Sequence, residues 1–209
     1  IYHPDLKKQQ KCESIISNID LVPTILEFSG LDKDTINTNY PELKGTSFAN
    51  LVENVDHKNN RDNEGHLIHG VQIIPTVFNV AEKFRHIGLA DSLIDKFKAF
   101  ATKGNFLPDF SPPLNYKGVV DKRYKFIRYF SPRENNIPNT FAELSNNNTS
   151  FQLYDLLNDP YEMHDISKTE NNKGLLMSMN DKLNKLTDKE IGLENHILHL
   201  PGPDWFWTT

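Results

Sequence analysis

The 209-residue sequence contains a single cysteine, Cys12. One thiol excludes an internal disulfide framework and any zinc or iron–sulfur site that needs several cysteines. No window approaches the ~18 consecutive apolar residues of a membrane span. No basic start followed by an apolar stretch marks a signal peptide. We therefore expect no membrane partner, and the sequence leaves both cytosol and periplasm open as the compartment.

A basic surface is also lacking, because 23 Lys and Arg face 28 Asp and Glu, for a net charge of −5. Nucleic acids select basic surfaces, so we expect no nucleic-acid partner. Hydrophobic residues make up 37% and charged residues 24% of the chain. That balance is typical of a globular protein rather than of a disordered one.

The usual nucleophile and phosphate-binding motifs are missing as well. There is no G-x-S-x-G, no P-loop and no G-x-G-x-x-G. Cys12 has no flanking motif, and the neighbouring Glu13 disfavours a thiolate. Cys12 is therefore predicted to be a structural or surface thiol, and the chain offers no catalytic residue.

Two short patterns could hold a metal ion. His66 and His69 have the H-x-x-H spacing, but Gly65 and Gly70 oppose a helix, and on a strand the two rings would point to opposite faces. Asp62-Asn63 lies in the very polar stretch 56–65, which predicts a solvated loop without a third fixed acid. The sequence thus predicts no metal site in this chain.

Two polar clusters in the second half have the composition of turns. The basic run at 121–126 (DKRYKF) could hold an anion, but a hairpin turn requires such polar residues anyway. The acidic group at 155–162 does not have the spacing of a calcium loop, and its Asp159-Pro160 pair is ordinary turn chemistry. Both clusters are interpreted as turns.

The first part of the chain predicts one clear helix. Asp20 is its expected N-cap, Pro23 lies in the first turn, and Gly30 ends it. Leu21, Ile25 and Phe28 share one face. Around this helix we expect a short strand at 14–17, a loop at 32–42 and a short segment ending near Val55.

The rest of the chain combines strands with helices. A hairpin with strands at 118–120 and 124–130 gives the strongest signal. The amphipathic helix 172–190 is predicted to bury Leu175, Leu176, Met179, Leu183 and Leu186. The remaining expected segments are a strand at 67–74, a helical stretch at 76–102, an irregular stretch at 105–115, a loop at 133–149, a strand at 151–156 and a strap at 196–209. Strands covered by one amphipathic helix predict an antiparallel layer.

Five segments, in this order, resemble the C-terminal half of formylglycine-dependent sulfatases, and residues 123–190 are most similar to bacterial arylsulfatase-like members. They are IYHP at 1–4, SNIDLVPTILEFSGL at 17–31, LKGTSF at 43–48, GVVDKRYKFI at 118–127 and LYDLLNDPYE at 153–162. The family's versions of the second and fifth read D-L-x-P-T-(I/L)-L-x-x-(A/S)-G-L and L-Y-D-L-x-x-D-P-x-E.

The resemblance implies an α/β fold, namely the C-terminal part of an alkaline-phosphatase-like sulfatase fold with a small antiparallel subdomain and a C-terminal helix. Residues 1–55 would form the last part of the core, and 56–115 a connecting loop and helical segment. Residues 116–190 would form the antiparallel subdomain with its covering helix, and 191–209 a strap. The apolar start at Ile1-Tyr2 fits a strand that began upstream, so we expect a fragment of a longer protein.

The implied activity is the hydrolysis of sulfate esters, with calcium and formylglycine as cofactors. The family's nucleophile lies in C/S-x-P-x-R, and Cys12 is followed by neither the Pro nor the Arg. The family's early Asp pair is absent too, so both cofactors are expected in a missing N-terminal catalytic half. The chain alone is then expected to be inactive. The resemblance implies a periplasmic or secreted location.

His66 and His69 are the residues that we expect to face the substrate, because they lie between the predicted core and the subdomain. Two alternatives stay open. The first is a phosphonate or phosphodiester hydrolase of the same superfamily, which shares the late segments. The second is a non-catalytic binding or structural module.

Overall fold

The computed structural model describes residues 9–71, 113, 115–131, 137–145 and 149–192. Six α-helices lie in this part of the chain: α1 (Leu21–Phe28), α2 (Lys33–Asn39), α3 (Ala49–Glu53), α4 (Arg61–Glu64), α5 (Phe141–Leu144) and α6 (Lys173–Glu190). Single 3-10 turns precede α1 and α6, at Asn18–Asp20 and Glu170–Asn172. None of the described helices has the length and hydrophobicity that a membrane span requires.

Four strands form one small antiparallel sheet in the order β1-β2-β3-β4. They are β1 (His66–Val71), β2 (Asn115–Val120), β3 (Tyr124–Phe130) and β4 (Ser150–Asp155). Each strand therefore neighbours the next one in the chain. The architecture is α/β with a four-stranded antiparallel sheet and a C-terminal helix, which confirms the predicted small sheet and its helix.

The β2–β3 hairpin is closed by its polar turn. The Asp121 amide donates to the carbonyl of Tyr124 (3.0 Å), and the Asp121 carboxylate accepts from the amides of Arg123 and Tyr124. The predicted hairpin is confirmed, although β2 begins at Asn115, inside the stretch that was expected to be irregular. The predicted strands at 67–74 and 151–156 correspond to β1 and β4.

The chain divides into two compact units. The first comprises Ile1–Ile68, Gly118–Ile127 and Gln152–Leu193. Its best-buried strand residues are Val119, Phe126 and Leu153, none of which exposes any surface. The side chains that α6 buries are Leu176, Met179, Asn180, Leu183, Leu186 and Thr187. The predicted helix is thus confirmed, but Leu175 is only half-buried and the buried stripe includes two polar residues.

The second unit comprises His69–Lys117, Arg128–Phe151 and Glu194–Thr209. It contains α5, where a loop was expected. The Thr140 hydroxyl accepts from the amide of Glu143, and the Glu143 carboxylate accepts from the amide of Thr140, which is a capping box. Leu144 is completely buried and holds this short helix in place.

Helix α1 matches its prediction in position. Asp20 is the N-cap, Pro23 lies in the first turn, and Gly30 has φ +98°, the left-handed conformation that ends a helix. The Asp20 carboxylate does not cap the helix, because it binds other groups instead. The residues on the outer side of α1 are exposed rather than buried.

Three expectations for the first part of the chain are wrong. Residues 14–17 do not form a strand, and 32–42 is not a loop, because it contains α2. The Asp32 carboxylate caps α2 by accepting from the Thr35 amide at 2.8 Å. Within the helix, the side chain of Ile36 is buried. The stretch 56–65 is not simply a solvated loop, because it contains α4 and the buried Arg61.

Several expected segments lie outside the described residues. They are IYHP at 1–4, residues 72–74 of the predicted strand, the helical stretch 76–102, most of the irregular stretch 105–115 and the strap 196–209.

Candidate functional site

The two histidines that the sequence singles out both lie on β1. They are three residues apart on a strand, so their side chains point to opposite faces of the sheet. His66 is half-buried in the first unit, and His69 is exposed in the second. The structure therefore does not bring the two rings together. Among the described residues, no group of three His, Cys, Asp or Glu side chains could hold a metal ion.

His66 lies at an open cleft of about 460 Å³ in the first unit. The cleft is bounded on one side by the segment before α1 and on the other by the end of β2 and its turn. Its apolar lining comes from Ile15, Ile16 and Val120, and its charged lining from Glu13, Asp121 and Lys122.

The surroundings of His66 favour the neutral form of its imidazole. Burial lowers its pKa below the ordinary value, and the positive charge of Arg61 acts in the same direction. The Nδ1 atom is buried and has no hydrogen-bond partner. Burying the neutral ring costs less free energy than burying the charged one, because a buried unpaired charge is far more unfavourable than an unpaired lone pair.

The charged residues of the cleft are already paired. Lys122 lies 2.9 Å from the Asp62 carboxylate, and Glu13 lies 2.6 Å from Lys11. Asp121 binds the Lys182 ammonium. Burial opposes the charge of Asp121, but hydrogen bonds from Lys182 and from the turn amides outweigh it and hold the pKa of Asp121 below its usual range. This pairing fits the interpretation of residues 121–123 as a hairpin turn rather than an anion site.

Asp62 also has a different role from the one expected for a solvated residue. Its carboxylate accepts from the amide of Ile15 (2.9 Å) and the hydroxyl of Ser14 (3.2 Å), besides its pair with Lys122. Asp62 therefore ties the segment before α1 to the hairpin turn. Its neighbour Asn63 is exposed.

A buried ion-pair cluster, which the sequence did not indicate, lies behind His66. Arg61 is 3% exposed and binds both carboxylate oxygens of Asp20 through Nε and Nη2. Its Nη1 donates to Glu190 at 2.7 Å. Burial opposes the charge of Arg61, but the hydrogen bonds to Asp20 and Glu190 outweigh it and raise its pKa. The cluster joins the start of α1, helix α4 and the end of α6.

In the second unit, His69 lies at the end of a row of basic residues. The Tyr116 ring is beside Gly70, and Tyr116 lies opposite Tyr129 with ring centroids 6.2 Å apart. This antiparallel register places Lys117 opposite both His69 and Arg128.

The two buried members of this row are Lys117, 5% exposed, and Arg128, 0% exposed. The Lys117 ammonium lies 5.5 Å from the centre of the Phe130 ring, a cation–π distance. Burial lowers the pKa of Arg128 to about 9.

Cys12 is exposed, as expected for a surface thiol. Its surroundings do not fit formylglycine formation, because the sequence after it lacks the Pro and Arg of the family motif. The described residues do not fit a calcium site either. Neither family models nor curated proteins contain a match to this chain.

Proposed function

We propose that this chain is the C-terminal portion of a sulfatase that hydrolyses sulfate esters. In this proposal it completes an alkaline-phosphatase-like α/β core and contributes to the rim of the substrate pocket. Formylglycine and calcium belong to an N-terminal catalytic half. The described residues fit neither group, so they perform no chemical step through them.

The observation that carries the proposal is that residues of the separate sulfatase-like segments bind one another. In the first pair of segments, the Asp20 carboxylate accepts from the amide of Thr46 (2.8 Å). The Thr24 hydroxyl accepts from the amide of Phe48 (3.0 Å). Gly45 approaches Ile19 so closely that a Cβ would lie 2.0 Å from its carbonyl oxygen.

The two late segments interact in the same way. The Lys125 ammonium lies 2.6 Å from Glu162, and the Arg123 guanidinium lies 3.0 Å from Asp155. Leu156 donates its amide to the carbonyl of Arg123 at 2.7 Å. Each segment thus supplies hydrogen-bond or ion-pair partners to the other, and these contacts support the proposal.

The proposal is tested on the complete protein, expressed with a formylglycine-generating enzyme and supplied with calcium. We expect kcat/KM for an aryl sulfate to exceed that for an aryl phosphodiester. The reverse ratio would assign the protein to the phosphodiester and phosphonate hydrolases. No turnover of either ester would favour a non-catalytic module and contradict the proposal.

The substrate-facing role of the two histidines is tested separately, with His66→Ala and His69→Ala combined in the complete protein. We expect kcat/KM for the enzyme's own substrate to fall. The control is His164→Ala, which removes a histidine that is exposed and pairs with Asp159 at 3.5 Å. If the double variant matched the control, the two histidines would have no role at the pocket.

A further inference from the structure

The cleft at His66 has the size and the lining of a site for a small molecule. Its volume of about 460 Å³ lies within the usual range of such sites, about 300–1,000 Å³. Ile15, Ile16 and Val120 supply its apolar walls, and His66 adds a polar ring. Small-molecule sites typically combine apolar contact with a few polar groups that orient the ligand. We call this place the His66 cleft.

His66 offers one of its two ring nitrogens to a ligand. Nδ1 is buried and has no hydrogen-bond partner among the described residues, so Nε2 is the atom left to bind a group in the cleft. In a neutral imidazole one nitrogen carries the proton and the other a lone pair. A buried acceptor without a partner is tolerated better than a buried donor without one, which places the proton on Nε2. The group that His66 binds is therefore a hydrogen-bond acceptor.

The charges of the His66 cleft disfavour an anionic ligand. Its lining contains the carboxylates of Glu13 and Asp121 but only one ammonium group, that of Lys122. Each of these three groups is already held in an ion pair within the protein. An anion in the cleft would be repelled by two carboxylates and would find no unpaired cation in the lining. The cleft is thus suited to an uncharged group.

We propose that the His66 cleft binds the uncharged alcohol or phenol portion of a sulfate ester. A hydroxyl or ether oxygen of that portion accepts a hydrogen bond from Nε2 of His66, and its hydrocarbon packs on the apolar walls. Resting on the proposed function, this assignment narrows the substrate class to esters in which the sulfate is the only negative charge. A carboxylate or a second sulfate would lie close to the two carboxylates of the cleft.

Three probes of similar shape and different charge test this assignment: benzyl alcohol, benzoate and benzylammonium. Isothermal titration calorimetry of the complete protein measures their Kd, and the Cε1 proton signal of His66 reports where they bind. We expect benzyl alcohol to shift this signal and to bind about five-fold more tightly than benzoate, the usual effect of one partly exposed charge. Benzoate or benzylammonium binding as tightly as the alcohol would overturn the proposal, and so would a His66 signal that no probe shifts.

The hydrogen bond is tested with His66→Phe, which removes the donor and keeps a ring. We expect the Kd of benzyl alcohol to rise about five-fold, the usual loss of one hydrogen bond. His66→Gln retains an N–H donor and should restore part of the affinity. The control is His164→Phe, at an exposed position outside the cleft. If His66→Phe bound the alcohol as tightly as this control, the proposed role of His66 would be wrong.

The charge preference is tested with Glu13→Gln, which removes one carboxylate at an exposed position and leaves His66 intact. We expect the preference for benzyl alcohol over benzoate to shrink from about five-fold to about two-fold, because less repulsion opposes the anion. Glu42→Gln is the matched control, since Glu42 is also exposed and does not line the cleft. Identical preferences in the two variants would contradict the role of the cleft carboxylates.

Turnover separates this proposal from the proposed function. We expect the complete enzyme to hydrolyse benzyl sulfate with a higher kcat/KM than 4-carboxybenzyl sulfate, again by about five-fold. Binding of benzyl alcohol at His66 in a protein that hydrolyses neither ester would support the assignment of the cleft and contradict the function. Hydrolysis of both esters with equal kcat/KM would support the function and overturn the assignment of the cleft.

Discussion

Arg61 is the centre of a buried ion-pair cluster in the first unit. It is buried between Asp20 and Glu190, so all three charges have left water and rely on one another. Removing one member of such a buried cluster leaves an uncompensated charge, which costs far more than the intact cluster contributes.

We therefore expect Arg61→Met to lower the free energy of unfolding of the complete protein by about 3–5 kcal/mol, the usual loss when a buried ion pair is broken. Chemical denaturation monitored by circular dichroism measures this loss. The control is Arg123→Met, whose guanidinium is half-exposed beside Asp155, and it should change little. Equal effects of the two variants would contradict the assigned role of Arg61.

His66 gives the protein a pH dependence with a defined sign. Its pKa in the folded protein is lowered from 6.5 by burial and by Arg61, so below pH 6.5 the unfolded chain binds the proton more readily. The stability that neutral His66 contributes is complete above the unfolded pKa. It is lost as the pH falls from there to the folded pKa, by at most about 1.4 kcal/mol per pH unit for one proton.

The measurement compares the free energy of unfolding of the wild type and of His66→Gln between pH 8 and pH 4. We expect the wild type to lose more stability than the variant as the pH falls below about 6.5. The midpoint of the His66 Cε1 proton titration should also lie below 6.5. A midpoint above that value would contradict the burial of the ring.

The sequence predicts the direction of a side chain well where the period of the secondary structure determines it. His66 and His69 point to opposite faces because side chains alternate along a strand, and both residues lie on β1. The roles of Arg61 and Asp62 could not be predicted, because their partners lie up to 129 residues away in the chain. A charged residue in a polar stretch has no local feature that marks it as buried.

Secondary-structure elements with strong local signals are predicted close to their observed positions. Helix α1 has its Asp20, Pro23 and Gly30 signals, the β2–β3 hairpin has its turn, and α6 has its apolar period. The helices α2, α4 and α5 have seven residues or fewer and were expected to be loops. Helices this short are stabilised by caps and by buried anchors such as Ile36 and Leu144 rather than by an amphipathic period.

The contact between the turn before α1 and the segment before α3 provides a test of the packing in the first unit. A Cβ at Gly45 would lie 2.0 Å from the carbonyl oxygen of Ile19, which is backbone and cannot move aside easily. We expect Gly45→Ala to cost about 3 kcal/mol, the upper end of the usual loss from overpacking. Thermal unfolding measures the change.

The matched control is Gly174→Ala in the first turn of α6, where a Cβ would have no atom within 4 Å. Alanine favours helix more than glycine does, so this variant should gain up to about 1 kcal/mol. A neutral outcome at Gly45 would mean that the two sulfatase-like segments do not touch as described.

The described residues combine a small antiparallel sheet with helices, and this coarse class was predictable from hydrophobic periods and turns. The proposed sulfatase function rests instead on the resemblance of five segments and on the contacts within two pairs of them. Those contacts show how the segments support each other, whereas the chemistry itself needs groups that the described residues do not hold.

Peptide mass spectrometry of the complete protein, co-expressed with a formylglycine-generating enzyme, tests most directly whether the protein is a formylglycine-dependent sulfatase. We expect one peptide upstream of Ile1 in which the Cys or Ser of a C/S-x-P-x-R motif has become formylglycine. The peptide that contains Cys12 is the internal control and should be unmodified. A complete protein without formylglycine at any position would contradict the proposal.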